Sequence, residues 1–193
     1  MVLERLLQKY NANESHALQV ADLSLKIFDE MQKLGLHDMS LKKRDMLKIG
    51  ACLHDIGYFI EAKGHNKHSA EIIKTEDALD FDAKEKQLIA CIARYHRGSL
   101  PSKRHEDYSD LPPKKQKNVQ KLAGIVRFAD ALDRLHLDLV LDVSLSYSAK
   151  HNVLWVKVIP EKSGVILDLS SAQRKKDLLE KAFEVQVVVV SAV

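Results

Sequence analysis

Apolar positions recur at steps of three and four through ESHALQVADLSLKIFDEMQKL, Glu14 to Leu34, and predict a helix with Asn13 as its N-cap and Gly35 as its stop. The same spacing predicts helices over about Leu41–Leu53, Lys67–Thr75 and Ala83–Arg97, the last opened by Asp82 and Glu85 in a capping-box arrangement. From Gly98 to Lys117 the periodicity stops and three of the 4 prolines fall there, which predicts a long loop. It resumes in NVQKLAGIVRFADALDRLHLD, Asn118 to Asp138.

Beyond that the pattern shortens. LDVSLSYS, VLWVKVI, GVILDL and EVQVVVV are β-branched runs of strand length, interrupted by one helical stretch near Ser171–Phe183. The chain therefore reads as mainly α: a helical bundle over residues 1–141 with a small C-terminal α+β appendage over residues 142–193. No flexible-linker composition separates the two, so the appendage is expected to pack on the bundle. EVQVVVV reads as a strand buried against the neighbouring helix, and Trp155 as a core or interface residue.

Several polar side chains interrupt the apolar stripes. His16 shares its stripe with Val20, Leu23 and Ile27; His96 continues Leu88 and Ile92; Asp130 continues Ala123 and Val126. A hydrogen-bonded core imidazole is an ordinary thing. An inward carboxylate must bind a proton, find a cation or ligate a metal, and Arg127 and Arg134 are the salt-bridge candidates for Asp130. His54 and Asp55 end the apolar helix MLKIGACLHDIG, and adjacent residues, about 100° apart on a helix, reach a common point only where the chain turns. With His65 or His68 added, these nitrogen and oxygen donors suit one or two divalent transition metals, Mn, Fe, Co or Zn.

Composition narrows the partners. At 193 residues, 46% hydrophobic and 30% charged, the chain is a folded protein, and its net charge of +3 is too small to imply nucleic acid. PPKKQKNVQK lacks interleaved aromatics and reads as a charged helix lead-in. MVLERLLQKY is not a signal peptide, no stretch reaches the ~20 apolar residues of a membrane span, and Cys52 and Cys91 sit in apolar runs, so a cytoplasmic protein with reduced thiols is expected. Arg97, Lys103 and Arg104, with His105, are the cations available for an anionic substrate.

The order His16, His54-Asp55, Asp130 resembles the H…HD…D pattern of the HD superfamily of metal-dependent phosphohydrolases, an all-helical fold with its metal at the bundle centre. LHDIGYFI, GHNKHSAEII, IARYHR and IVRFADALDRLH resemble more closely the C-terminal HD region of the exopolyphosphatase/guanosine pentaphosphate phosphatases (Ppx/GppA), over most of the chain. The resemblance implies that His16, His54, Asp55 and Asp130 hold one metal, that Asp55 bridges, and that His65 and His96 help hold a second. His65 is preferred to His68 because Ser69 follows it by four. Asp133 would orient a ligand, and metal affinity is expected to fall below about pH 6 as histidines protonate.

The resemblance implies hydrolysis of a phosphorylated small molecule, nucleotide or polyphosphate-like, with Asp55, His96 and Arg97 at the reacting centre and Arg97, Lys103 and Arg104 on the substrate. Two departures stand out: Tyr58 occupies a position where many HD enzymes carry Lys, and RYHRGSLP lacks the HH and GYP elements of cyclic-dinucleotide phosphodiesterases. The full exopolyphosphatases also carry an actin-like catalytic region, so the chain is either a freestanding HD protein or a piece of a longer one. The alternative function is a non-catalytic module that binds polyphosphate or nucleotide and mediates homodimerisation.

Overall fold

A computed structural model describes residues 2–192. It opens on a short amphipathic helix, α1 (Val2–Lys9), which buries Leu6 and Leu7. Asn13, in extended backbone, accepts the His16 N–H and starts α2 (Glu14–Lys33), whose buried stripe runs from His16 and Val20 to Ile27 and Met31. Next come α3 (Leu41–Cys52), a 3-10 turn (Ile56–Phe59) and α4 (His65–Thr75). The capping box of Asp82 and Glu85 opens α5 (Ala83–Arg94). The Gly98–Lys117 segment is shorter as a loop than its composition suggests: it holds α6 (Glu106–Ser109), and α7 (Pro113–Leu132) already starts within it, at a proline whose fixed φ suits a first helical turn. PPKKQK thus forms the entry into α7.

Three helix ends correct the sequence expectation, and each moves a site residue. α4 begins at His65, two residues early, after Gly64 in left-handed backbone with φ 78°. α5 stops at Arg94, so His96 sits in the turn beyond it. α7 stops at Leu132, leaving Asp133 as its C-cap and freeing Arg134–Asp138 to form a loop.

The remaining chain forms β1 (Val140–Ser148), β2 (Val153–Pro160), α8 (Ser170–Lys175), α9 (Asp177–Phe183) and β3 (Gln186–Ser191). The sheet order is β1-β2-β3, antiparallel then parallel. Val143, Leu154, Val156, Val158 and Val187 alternate onto its inner face and join one core with the helices, while Trp155 is 46% exposed on the outer face. GVILDL is not a strand: Ile166 is almost wholly exposed and the segment has no partner in the sheet. The single helix expected near Ser171–Phe183 is two, broken at Lys176. At Gly124 the backbone of α7 meets that of α9 so closely that a Cβ would lie 3.1 Å from Leu179 Cα.

β3 lies at the sheet edge, yet three of its outward backbone groups are occupied. Glu180 accepts the Val187 N–H, while Lys176 and Gln173 donate to the carbonyls of Val187 and Val189. An apolar edge that would otherwise be a template for another chain is thus covered by α8 and α9. Among the described residues no helix is long and apolar enough to cross a membrane. Cys52 and Cys91 are buried free thiols, pushed up by burial to about 11 and about 12.

Candidate metal centre

The turn after α3, the start of α4, the turn after α5 and the end of α7 line one polar cavity of about 370 Å³ through Asp55, His65, His96 and Asp130, and His16 of α2 and His54 stand buried behind Asp55 and Asp130. His54 and Asp55 stand in the turn between α3 and the 3-10 turn, where the chain leaves helical geometry and two adjacent side chains can face one point. That turn is pressed onto α4: a Cβ on Gly57 would lie 2.0 Å from the His65 carbonyl oxygen. Ser69 accepts the Gly57 N–H at 2.9 Å and donates to the His54 carbonyl at 2.6 Å.

Four imidazoles surround Asp55 and Asp130, His65 and His96 in the cavity wall and His16 and His54 behind it, and each has its Nδ1 committed elsewhere. His54 donates through Nδ1 to the Ala51 carbonyl (2.6 Å), His65 to Ala62 (3.0 Å), and His96 to Ala93 (2.7 Å), each three residues back. His16 donates to Asp133 Oδ2 at 2.7 Å. A neutral ring that donates from Nδ1 keeps its lone pair on Nε2, so each of the four, when neutral, turns an acceptor toward the two carboxylates.

Those acceptors form two groups joined by one carboxylate. His16, His54 and Asp55 have candidate ligand atoms within 4.8 Å of one another, and so do Asp55, His65 and His96. Asp55 Oδ2 lies 3.5 Å from His54 Nε2, while Asp55 Oδ1 lies 3.1 and 3.4 Å from His65 and His96 Nε2. Asp130 Oδ1 completes the first group, 3.5 Å from His16 Nε2 and 3.7 Å from His54 Nε2.

The arrangement fits a cation and little else. His16 Nε2, His54 Nε2 and Asp55 Oδ1 are buried without a hydrogen-bond partner. Each such orphan costs about 1–3 kcal/mol, and lone pairs aimed at lone pairs add repulsion. A shared positive charge removes both penalties, and hard oxygens mixed with imidazole nitrogens suit the divalent first-row metals.

Electrostatics divide the histidines. Burial, with the His54 charge, pushes His96 down to about 3, so it is neutral at pH 7. Burial also disfavours the charged form of His16, but the neighbouring Asp130 and Asp133 carboxylates and the charge of Asp55 outweigh it and raise His16 to about 9. Asp55 and Asp130 are each disfavoured as anions by burial, yet the surrounding histidines, and Lys175 at Asp130, hold both below the usual carboxylate range.

Arg97 reaches the cavity, its Nη1 3.3 Å from both ring nitrogens of His65. Lys103 and Arg104 do not: they stand in an exposed turn before α6, outside the cavity wall. Their place is taken by Arg134 and Lys175. The cation on Asp130 is neither Arg127 nor Arg134 but Lys175, whose Nζ is 2.6 Å from Asp130 Oδ2. Arg127 instead forms a two-pronged pair with Asp177 at 2.7 and 3.0 Å. His68 stays outside, 3.9 Å from Glu61. His105 accepts or donates at the Tyr95 hydroxyl, 2.8 Å away.

One further residue was not anticipated: His136, in left-handed backbone at φ 55°, stacks on His16 at 3.6 Å, while Tyr58, already singled out in the sequence, stacks on His65 at 3.8 Å. One sequence signal was available: Ala stands three residues before each of His54, His65 and His96, a small side chain that leaves its carbonyl open to the ring.

A mainly α fold that gathers four imidazoles around two carboxylates defines a candidate metal centre carried on a helical bundle. The family model described as Ppx/GppA phosphatase, domain III, matches residues 2–180, and the chain belongs to that family. It is similar to a protein named guanosine-5'-triphosphate,3'-diphosphate pyrophosphatase in Pseudoalteromonas translucida, 27% identical over 180 residues, 90% of this chain and 35% of the relative. A protein of the same name in Aliivibrio fischeri is 27% identical over 156 residues, 78% of this chain and 29% of the relative. Another, in Aeromonas hydrophila, is 30% identical over 92 residues, 46% of this chain and 18% of the relative. The chain thus spans at most about a third of the length of these relatives.

Proposed function

We propose that the chain is a metal-dependent phosphohydrolase of the HD class, acting in the cytoplasm on a phosphorylated small molecule. His16, His54, Asp55 and Asp130 would hold one divalent ion, and Asp55, His65 and His96 a second. The observation that supports this reading is the convergence of four Nε2 atoms on two carboxylates, with His16 Nε2, His54 Nε2 and Asp55 Oδ1 buried and without a hydrogen-bond partner. When bound, such ions supply a water of lowered pKa and offset negative charge on phosphoryl oxygens.

The chain's own residues do the rest. Asp55 joins the two groups and fixes their spacing. His96, held neutral by burial, keeps its lone pair available near neutral pH. Arg97, Arg134 and Lys175 line the same cavity and can hold an anionic substrate against it. The names of the relatives make a guanosine nucleotide carrying pyrophosphoryl groups the first substrate to test.

A second reading is favoured by one specific observation, the coverage of only about a third of the relatives' length. On it, the chain is a non-catalytic module that binds nucleotide or polyphosphate and mediates homodimerisation. Metal content of the purified protein, followed by hydrolysis of a nucleotide panel with Mn²⁺, separates the two. Turnover lost together with metal in Asp55→Ala supports the enzyme; stoichiometric metal without turnover on the panel supports the module.

A further inference from the structure

We propose that Lys175 makes divalent-cation binding at this centre conditional on a phosphate-like anion, by competing with the cation for Asp130. The inference rests on the metal-centre reading above.

Asp130 has two oxygens and two kinds of partner. Oδ1 faces His16 and His54, whereas Oδ2 is held by the Lys175 ammonium at 2.6 Å. A divalent ion on the first oxygen would sit across one carboxylate from a positive charge, so each weakens the other's hold. Lys175 also lines the cavity beside Arg97 and Arg134, so an anion bound there gives its ammonium a second partner and relieves the repulsion.

The lysine is delivered to this position by its neighbours. Gln173 and Lys176 tie α8 to β3, and Asp177 ties the following turn to Arg127 of α7. Its side chain is about one quarter exposed, enough to turn from Asp130 toward the cavity. Coupling between cation and anion must then be reciprocal.

The test is Mn²⁺ binding, read from the loss of the free-ion EPR signal, with and without methylphosphonate. In the wild-type chain the phosphonate should tighten Mn²⁺ binding by about tenfold, within the ordinary range of coupling between sites. Lys175→Met should bind Mn²⁺ more tightly than wild type without the anion and lose the phosphonate effect, while Lys175→Arg keeps both wild-type properties. A melting curve checks that each variant is folded. Wild-type Mn²⁺ binding that ignores the phosphonate overturns the proposal, as does unchanged or weakened binding in folded Lys175→Met. Wild-type protein that binds no Mn²⁺ overturns it together with the metal-centre reading, whereas tight binding indifferent to Lys175 and anion overturns this inference alone.

Discussion

Ser69 donates its hydroxyl proton to the carbonyl oxygen of His54 across 2.6 Å. The Ser69 hydroxyl oxygen itself accepts the Gly57 N–H, so one side chain of α4 holds both ends of the turn that presents His54 and Asp55. The contact requires backbone to approach backbone, and a Cβ on Gly57 would meet Ser69 N at 2.4 Å. Gly57→Ala should therefore destabilise the fold by about 3 kcal/mol, as overpacking against fixed backbone does, measured by urea unfolding. Unfolding at the wild-type midpoint would mean that the turn yields without cost.

Asp55 is shared by both ligand groups, so its removal should be felt at each. Asp55→Ala is expected to lose bound metal to background by elemental analysis while keeping its helical circular dichroism. Retention of one ion per chain would show that the two groups are independent of it.

The first group should be pH-sensitive through His16. Its pKa is raised from 6.5 to about 9, so without a cation the ring is an imidazolium at pH 7. A cation on Nε2 must displace that proton, and affinity should climb with pH by about tenfold per unit until the ring is neutral. Mn²⁺ titrations between pH 6 and 9, with proton release followed by calorimetry in two buffers, read this directly. A flat profile would mean that His16 stays neutral or unliganded.

Asp133 touches the centre only through His16, whose Nδ1 it engages while its other oxygen accepts the Asp138 N–H at 3.0 Å. Asp133→Ala should weaken Mn²⁺ binding by roughly 10- to 100-fold, the usual effect of losing a partner that orients a ligand. Equal affinity would place His16 outside the ligand set.

Far from the cavity, Glu76 offers a control on the fold. Burial disfavours its charge, but Lys9, Tyr10 and the Ala78 N–H more than compensate and depress it from 4.5 to about 2. A depressed carboxylate stabilises above its unfolded pKa, and the contribution is lost as pH falls from about 4.5 toward 2. Glu76→Gln should cost about 2 kcal/mol at pH 7, and the gap to wild type should close over that acid range in thermal melts.

The α2 stripe, the capping box of α5 and the change to short β-branched runs were all legible, because each is a local pattern that burial follows. His16, His54, Asp55, His65, His96 and Asp130 were named from the sequence, and the structure brings them together. What the sequence hid was of two kinds. Gly64 starts α4 from left-handed backbone without a capping side chain, and His96 keeps the four-residue rhythm of α5 although the helix has ended. Lys175 and His136 reach the cavity through long-range packing and a left-handed loop residue, neither of which has a periodic signature. GVILDL shows the opposite failure: strand-forming residues make no strand where the segment pairs with no neighbour in the sheet.

The seal over β3 has a mechanical meaning. Gln173 and Lys176, which close that edge, flank the lysine held against Asp130. Peeling the last strand from the sheet would remove both of these ties and leave the Asp130 contact as the lysine's own anchor.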